Sequence, residues 1–312
     1  ARERVAAFLE RAFRRPAADD EQALYLGLWD SVLRSGKDEV AAARLVVQTV
    51  LASPRLLYLS ERVDPVAGTV RPLDDHELAA RLAYFLWAST PDEPLLAEAR
   101  AGRLRDPAVL EAQTRRMLRD PRSRELSESF ATQWLRLDQL STAKPDPDLF
   151  KAFYSGPQGK DTLHGAMLVE ALLLFETVLI EDRSILDFIG AEYTWLNPRL
   201  ARFYGITSSA LPAAPSPVPG ASNREIREAA NKVANTWVRV PLTDRTRGGF
   251  IAMAGPLTVT SLPFRTSPVK RGAWLLETIF NRPPQEPKVA FAIENDTKEE
   301  AAARSIREKF EA

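Results

Sequence analysis

At several places in this chain a residue that caps helices is followed at once by proline, among them Asp106-Pro107, Asp120-Pro121, Asn197-Pro198 and Ser267-Pro268. The side-chain oxygen accepts a hydrogen bond from one of the orphan amides of a helix start. Proline fits the first helical position, where its missing N–H costs nothing and its φ is preset. Each pair predicts a helix opening at that place, and the tracts between them carry apolar residues three and four apart rather than alternating. A chain punctuated in this way is constrained to be mainly α, a multi-helix orthogonal or bundle-like architecture with at most a small β element near 236–242.

Taken in order, Val5, Phe8, Leu9, Ala12 and Phe13 form one helical face that Pro16 ends. Asp19-Asp20-Glu21 supplies acids to the start of a second helix with Leu24, Leu28, Val32 and Leu33 inward. A third, about Lys37 to Leu51, uses Val40, Leu45, Val47 and Val50 and stops at Ser53-Pro54. These three make an N-terminal three-helix region, 1–60. A central helical domain, 73–206, opens on the capping sequence Leu73-Asp74-Asp75-His76-Glu77-Leu78, with Leu78, Leu82, Phe85 and Leu86 expected inward. Thr90-Pro91-Asp92-Glu93 starts the next helix, and a loop at 156–159 precedes a long helix from about Lys160 to Glu181. Residues 207–222, with prolines at 212, 215, 217 and 219, read as an exposed loop. The C-terminal region, 223–312, begins weakly helical at Ile226 to Val233. It then holds the one tract with period two, Thr236 to Leu242, for which Glu192 to Leu196 is an extended neighbour. A charged helix from Asp296-Thr297 to Phe310 closes the chain.

Several function classes are excluded or disfavoured. Forty-two basic residues balance forty-two acidic ones over 312 residues, so no overall field draws in nucleic acid. The best apolar run, Ala166 to Ile180, is broken by Glu170 and Glu176, so no transmembrane segment is expected. Cysteine is absent, which removes disulfides, thiolate metal sites, a cysteine nucleophile and covalent haem attachment within these residues. The sequence opens already amphipathic at Ala1-Arg2-Glu3-Arg4 and ends inside a helical pattern, as expected of a fragment cut at both ends.

Candidate chemistry is sparse. His76 and His164, the two histidines, lack metal-ligand spacing; helix capping accounts for the acids around His76, and His164 is expected to be exposed. Glu170 and Glu176 are six residues apart and well separated around a helix, a poor arrangement for paired acid–base work. No catalytic residues are assigned. The tryptophans at 87, 134, 195, 237 and 274 read as core anchors; an exposed pair beside a cationic loop would instead make a sugar platform.

The exception is the stretch Thr258 to Gly272. Ser267-Pro268 starts a helix expected to run to about Asn281, with Val269, Ala273, Leu276 and Phe280 as its buried stripe. Lys270 and Arg271 stand in its first turn with Arg265 just upstream, although a helix N-terminus already carries partial positive charge. Something negative is expected there: an internal Asp or Glu, the commoner arrangement, or a bound anion such as a phosphate, sulfate, carboxylate or haem propionate. Arg265, Ser267, Lys270 and Arg271 are therefore the candidate anion- or partner-binding residues. No metal site is expected.

Three groups of motifs carry a resemblance: Leu73 to Leu78 running into Tyr84-Phe85-Leu86-Trp87 and Pro91-Asp92-Glu93; Leu118 to Ser123 leading to Phe130 and Gln133-Trp134-Leu135; and Tyr193 to Asn197 with Tyr204-Gly205-Ile206. With Thr258 to Ser261 and Arg265 to Gly272, they resemble a large family of secreted, planctomycete-type cytochrome c-like proteins whose domains are mostly of unknown function. The resemblance implies a periplasmic, cell-surface or secreted protein linked to electron transfer. It also implies haem c in the full-length protein, attached by a Cys-x-x-Cys-His segment following the helix that corresponds to Ser305 to Ala312, with no cofactor within this segment. The expected role is a haem-free scaffold and docking surface for a redox module or partner protein. Two alternatives stand beside it: binding or processing of anionic polysaccharide, and a structural subunit of a larger assembly.

Overall fold

The computed structural model of the chain describes residues 2–59, 61, 70–154, 162–213, 222–244, 247–284 and 308. The loop expected at 156–159, residues 214–221 of the proline-rich loop and all of the expected closing helix but Glu308 lie outside the described residues. The protein is mainly helical, and it divides into two compact units, Ala1–Leu126 and Ser127–Ala312.

In the first unit, helices Arg2–Phe13, Asp19–Arg34 and Glu39–Leu51 enclose Leu9, Tyr25, Ala42, Val46 and Val50. Leu24, Leu33, Val40 and Val47, expected inside, are exposed. The buried line of the third helix is Ala42, Val46 and Val50, four residues apart, and its small first member lets the helices approach closely. Arg14 sits just past the first helix in a left-handed conformation, φ 62°. Its buried guanidinium donates to the carbonyls of Arg55, Leu56 and Tyr58 at 2.6–3.1 Å and to the Tyr84 hydroxyl at 2.8 Å. It thereby satisfies the orphan carbonyls at the end of the short helix Pro54–Leu57. Nearby, Arg15 and Arg55 both pair with Glu21. The hydrogen bond from Arg15 holds the Glu21 carboxyl down to about 2.

Asp74 and Glu77 form the reciprocal cap of helix Asp75–Trp87. Phe85, expected inward, is exposed, because the buried face runs through Ala79, Ala83, Leu86 and Trp87. The Trp87 indole donates to Met117 O at 2.9 Å, and the Arg122 guanidinium lies 3.5 Å from its ring centroid. Within Thr90-Pro91-Asp92-Glu93, Asp92 caps helix Glu93–Arg100. Asp106 and Asp120 cap the elements that their prolines begin.

The second unit is built on helix Leu163–Ile180. By length and composition that helix is sufficient to cross a bilayer, but more than half of it is buried within the protein, as befits a core helix. On its Phe175 pack the rings of Trp134 and Phe188, with Phe250 against both of these, centroids 5.0–6.4 Å apart. Phe130, stacked on Trp134 at the margin of this cluster, is about half exposed. Strand β1, Tyr193–Leu196, pairs antiparallel with β2, Val238–Pro241, so the period-two tract finds its partner in the extended segment some forty residues earlier. Helix Asn223–Ala234 precedes β2. A second ribbon, β3 (Ser261–Leu262) and β4 (Arg265–Thr266), forms inside the cationic stretch. The helix after it runs regularly over Pro268–Trp274 and continues as a wider π-type turn over Leu275–Ile279. The predicted stripe is wrong there: Val269, Leu276 and Phe280 are exposed. Trp274 turns inward instead, its indole donating to Leu135 O at 3.1 Å.

Candidate anion-binding site

The cationic stretch forms one wall of a cavity. Helix Ala254–Val259 ends where the hydroxyls of Thr260 and Ser261 fold back onto the carbonyls of Pro256 and Leu257, both at 2.6 Å. The chain then turns at once into β3, and Pro263-Phe264 reverses it into β4. Asp146 N–H donates to Pro263 O at 2.7 Å, which ties the segment around Pro145 to the tip of this ribbon. Between them lies a cavity of about 840 Å³, closed on its apolar side by Phe150, Phe153, Met167, Phe203, Val259 and Leu262.

Its charge is one-sided. Lys144, Lys151, Arg265 and Arg271 line it against a single acid, Asp148. Among the described residues, Lys144, Lys151 and Arg271 have no carboxylate partner. Both arginines converge on Thr266: Arg265 Nη1 donates to its carbonyl at 3.3 Å and Arg271 Nη2 to its hydroxyl at 2.7 Å. The Nε of Arg271 is shielded from solvent with no hydrogen-bond partner among the described residues, and burial lowers the guanidinium's pKa.

The four sequence candidates thus separate by role. Arg265 and Arg271 line the cavity. Ser267 is fully buried and acts as the helix cap, its Oγ accepting from Lys270 N–H at 3.1 Å. Lys270 is exposed and does not line the cavity, because the first turn of the helix carries it outward. The internal carboxylate considered from sequence is not found on Lys270 or Arg271 among the described residues. Lys144 and Lys151 were not singled out from sequence; more than a hundred residues before Arg265, they carry no local pattern that marks them.

A second polar feature braces this wall from behind. Glu170, one turn after Met167 on the long helix, is buried. It accepts from the Thr194 hydroxyl and the Tyr204 hydroxyl, both at 2.6 Å. Tyr204 in turn accepts Ala254 N–H at 2.8 Å, at the start of the helix whose last turn supplies Thr258 and Val259 to the cavity. The Arg247 guanidinium lies 4.6 Å from the Tyr204 ring centroid. Burial raises the Glu170 carboxyl to about 7, against the pull of its two donors and Arg247. The pairing of Glu170 with Glu176 has no counterpart. His164, expected to be exposed, is half-buried with its ring 5.6 Å from Phe153, and burial lowers its pKa. None of the six tryptophans is exposed and none lines the cavity.

Comparison with known families places three domains along the chain. Residues 1–61 match PSD5, a protein family of unknown function (DUF1595). Residues 73–206 match PSD4, of unknown function (DUF1592), and residues 247–312 match PSCyt3, of unknown function (DUF1588). Three successive tracts of the chain are thus each similar to a family of unknown function, one of which has a cytochrome-related name. No curated protein and no solved structure matches it.

Proposed function

We propose that this chain is the haem-free helical body of an exported, multidomain c-type cytochrome, and that its C-terminal unit docks a redox module by receiving an anionic group in the cation-lined cavity. The observation that carries this reading is the charge of that cavity: four basic side chains face one acid, and Lys144, Lys151 and Arg271 have no carboxylate partner among the described residues. A cluster of cations with so little opposing charge is favourably neutralised by an anion from elsewhere.

A c-type haem is attached through cysteine thiols, and the chain has none, so the attachment belongs to residues outside this sequence. Within the chain, Arg265 and Arg271 fit the carboxylate edge of such a group, and the haem when bound would supply one-electron transfer.

The test is made in the full-length protein. Replacing Arg265 and Arg271 together by Gln is expected to shift the haem midpoint potential or weaken partner binding, whereas Lys270→Gln, outside the cavity, leaves both unchanged. Unchanged values for the double variant overturn the proposal.

A further inference from the structure

Resting on the reading that the cavity receives an anion, we propose that the anionic group it receives is the carboxylate of an amphiphile, an extended apolar body ended by a carboxylate, rather than a small hydrated anion. The cavity, about 840 Å³, is of the size that encloses a whole organic ligand, whereas a lone phosphate or acetate would leave most of it empty. Much of its lining is apolar and partly aromatic: Phe150, Phe153 and Met167 offer a hydrated anion nothing in exchange for its lost water.

The charged groups, on the ribbon, on the Lys144–Lys151 segment and on helix Pro268–Trp274, stand beside apolar ones, with Phe150 next to Lys151 and Leu262 paired with Arg265, so the lining offers a cation and apolar contact together, which an amphiphile complements. Arg271 gives the polar end its geometry. One of its terminal nitrogens is anchored on the Thr266 hydroxyl at 2.7 Å, which fixes where the guanidinium stands in the lining. A singly charged carboxylate suits this place better than a dianion, since Asp148 already stands in the lining and desolvation cost rises steeply with charge.

Isothermal titration of this chain with four probes below micellar concentration tests the proposal: dodecanoate, acetate, inorganic phosphate and dodecyltrimethylammonium. Saturable binding of dodecanoate at one site is expected, weakened about tenfold or more by Arg271→Gln, with acetate, phosphate and the cationic amphiphile binding at least about a hundredfold more weakly. Acetate or phosphate binding as tightly as dodecanoate would overturn the amphiphile while leaving the anion reading intact. Equal binding of the cationic amphiphile would overturn both, and so would no binding of any probe. If circular dichroism shows that Arg271→Gln has lost its fold, the exposed pair Lys144→Gln and Lys151→Gln makes the same measurement. Dodecanoate affinity unchanged in a folded variant of either kind overturns the proposal.

Discussion

The Tyr204 hydroxyl accepts Ala254 N–H at 2.8 Å and lies 2.6 Å from Glu170 Oε2, so its own proton can only be directed at the carboxylate. With Thr194 donating to the other oxygen at 2.6 Å, a side chain buried in the core of the second unit has both oxygens satisfied. These donors favour the anion, and so does Arg247 nearby; burial opposes them and prevails, raising the carboxyl to about 7.

A pH dependence follows from that balance. The unfolded carboxyl titrates near 4.5 and the folded one near 7, so the native state holds this proton more tightly. Its contribution to stability is complete below the unfolded value, is lost as pH rises through the folded value, and is constant above it. The loss is at most about 3–4 kcal/mol, from about 1.4 kcal/mol for each unit of difference. Urea midpoints of the native chain should therefore fall between pH 5 and pH 8 relative to those of Glu170→Gln, which keeps acceptor capacity and cannot ionise. Tyr204→Phe should cost about 1–3 kcal/mol at either pH, because it strands an amide and a carboxylate oxygen.

Arg14 is expected to be the most sensitive charged position of the first unit. Its guanidinium serves the carbonyls of three residues and one hydroxyl, and no uncharged side chain reproduces that fan of donors. Arg14→Met should destabilise by about 3 kcal/mol, since the carbonyls it leaves behind have no substitute donor. Tyr84→Phe, which removes one of the acceptors and leaves the carbonyl contacts, should cost about 1 kcal/mol. Equilibrium urea unfolding followed by tryptophan fluorescence separates the two.

What the sequence made legible is what local chemistry decides. Asp74, Asp106, Asp120, Asn197 and Ser267 all cap the elements predicted for them, because a cap is settled within three or four residues. Burial faces were less legible. Helical spacing shows that a stripe exists, but Val40 and Val269 show that the bulkiest periodic residues need not be the ones facing a neighbour. Glu170 was weighed only as half of a pair with Glu176 and set aside on their separation around the helix; its partners Thr194 and Tyr204 lie in other elements, where no local pattern marks them. The cavity was half legible: Arg265 and Arg271 came from an electrostatic misfit at a helix start, while Lys144, Lys151 and Phe150 come from a segment far away in the chain.

Asn197 tests how much such a local signal contributes. Its side chain, buried at the start of helix Pro198–Tyr204, accepts Leu200 N–H at 2.8 Å, and the helix ends on Tyr204 itself. Asn197→Ala should cost about 1 kcal/mol, and Asn197→Asp markedly less, because the carboxylate restores the acceptor. If the helix positions Tyr204, the alanine variant should also change the pH dependence that Glu170 produces, which the same urea series at pH 5 and pH 8 would read.

The sharpest steric prediction concerns Gly249. Its φ is +64°, and a Cβ there would overlap the backbone of Phe188 and Ile189, while a Cβ on Gly248, φ +146°, would stand 2.5 Å from Ala191 O. Two successive glycines thus let the segment after Arg247 lie directly on the chain that leads into β1, which brings Phe250 to within 5.0 Å of Phe188 and places Arg247 over Tyr204. Neither obstacle is the end of a flexible side chain, so it cannot swing aside. Gly249→Ala should cost about 3 kcal/mol or more, combining a strained backbone with displaced packing. Gly27→Ala is the control: that glycine lies within helix Asp19–Arg34 with open space where a Cβ would go, and alanine should stabilise by about 0.5–1 kcal/mol. A Gly249→Ala variant as stable as the native chain would show that the segment can withdraw without loss, and that the contact of Phe250 with Phe188 contributes little to the second unit.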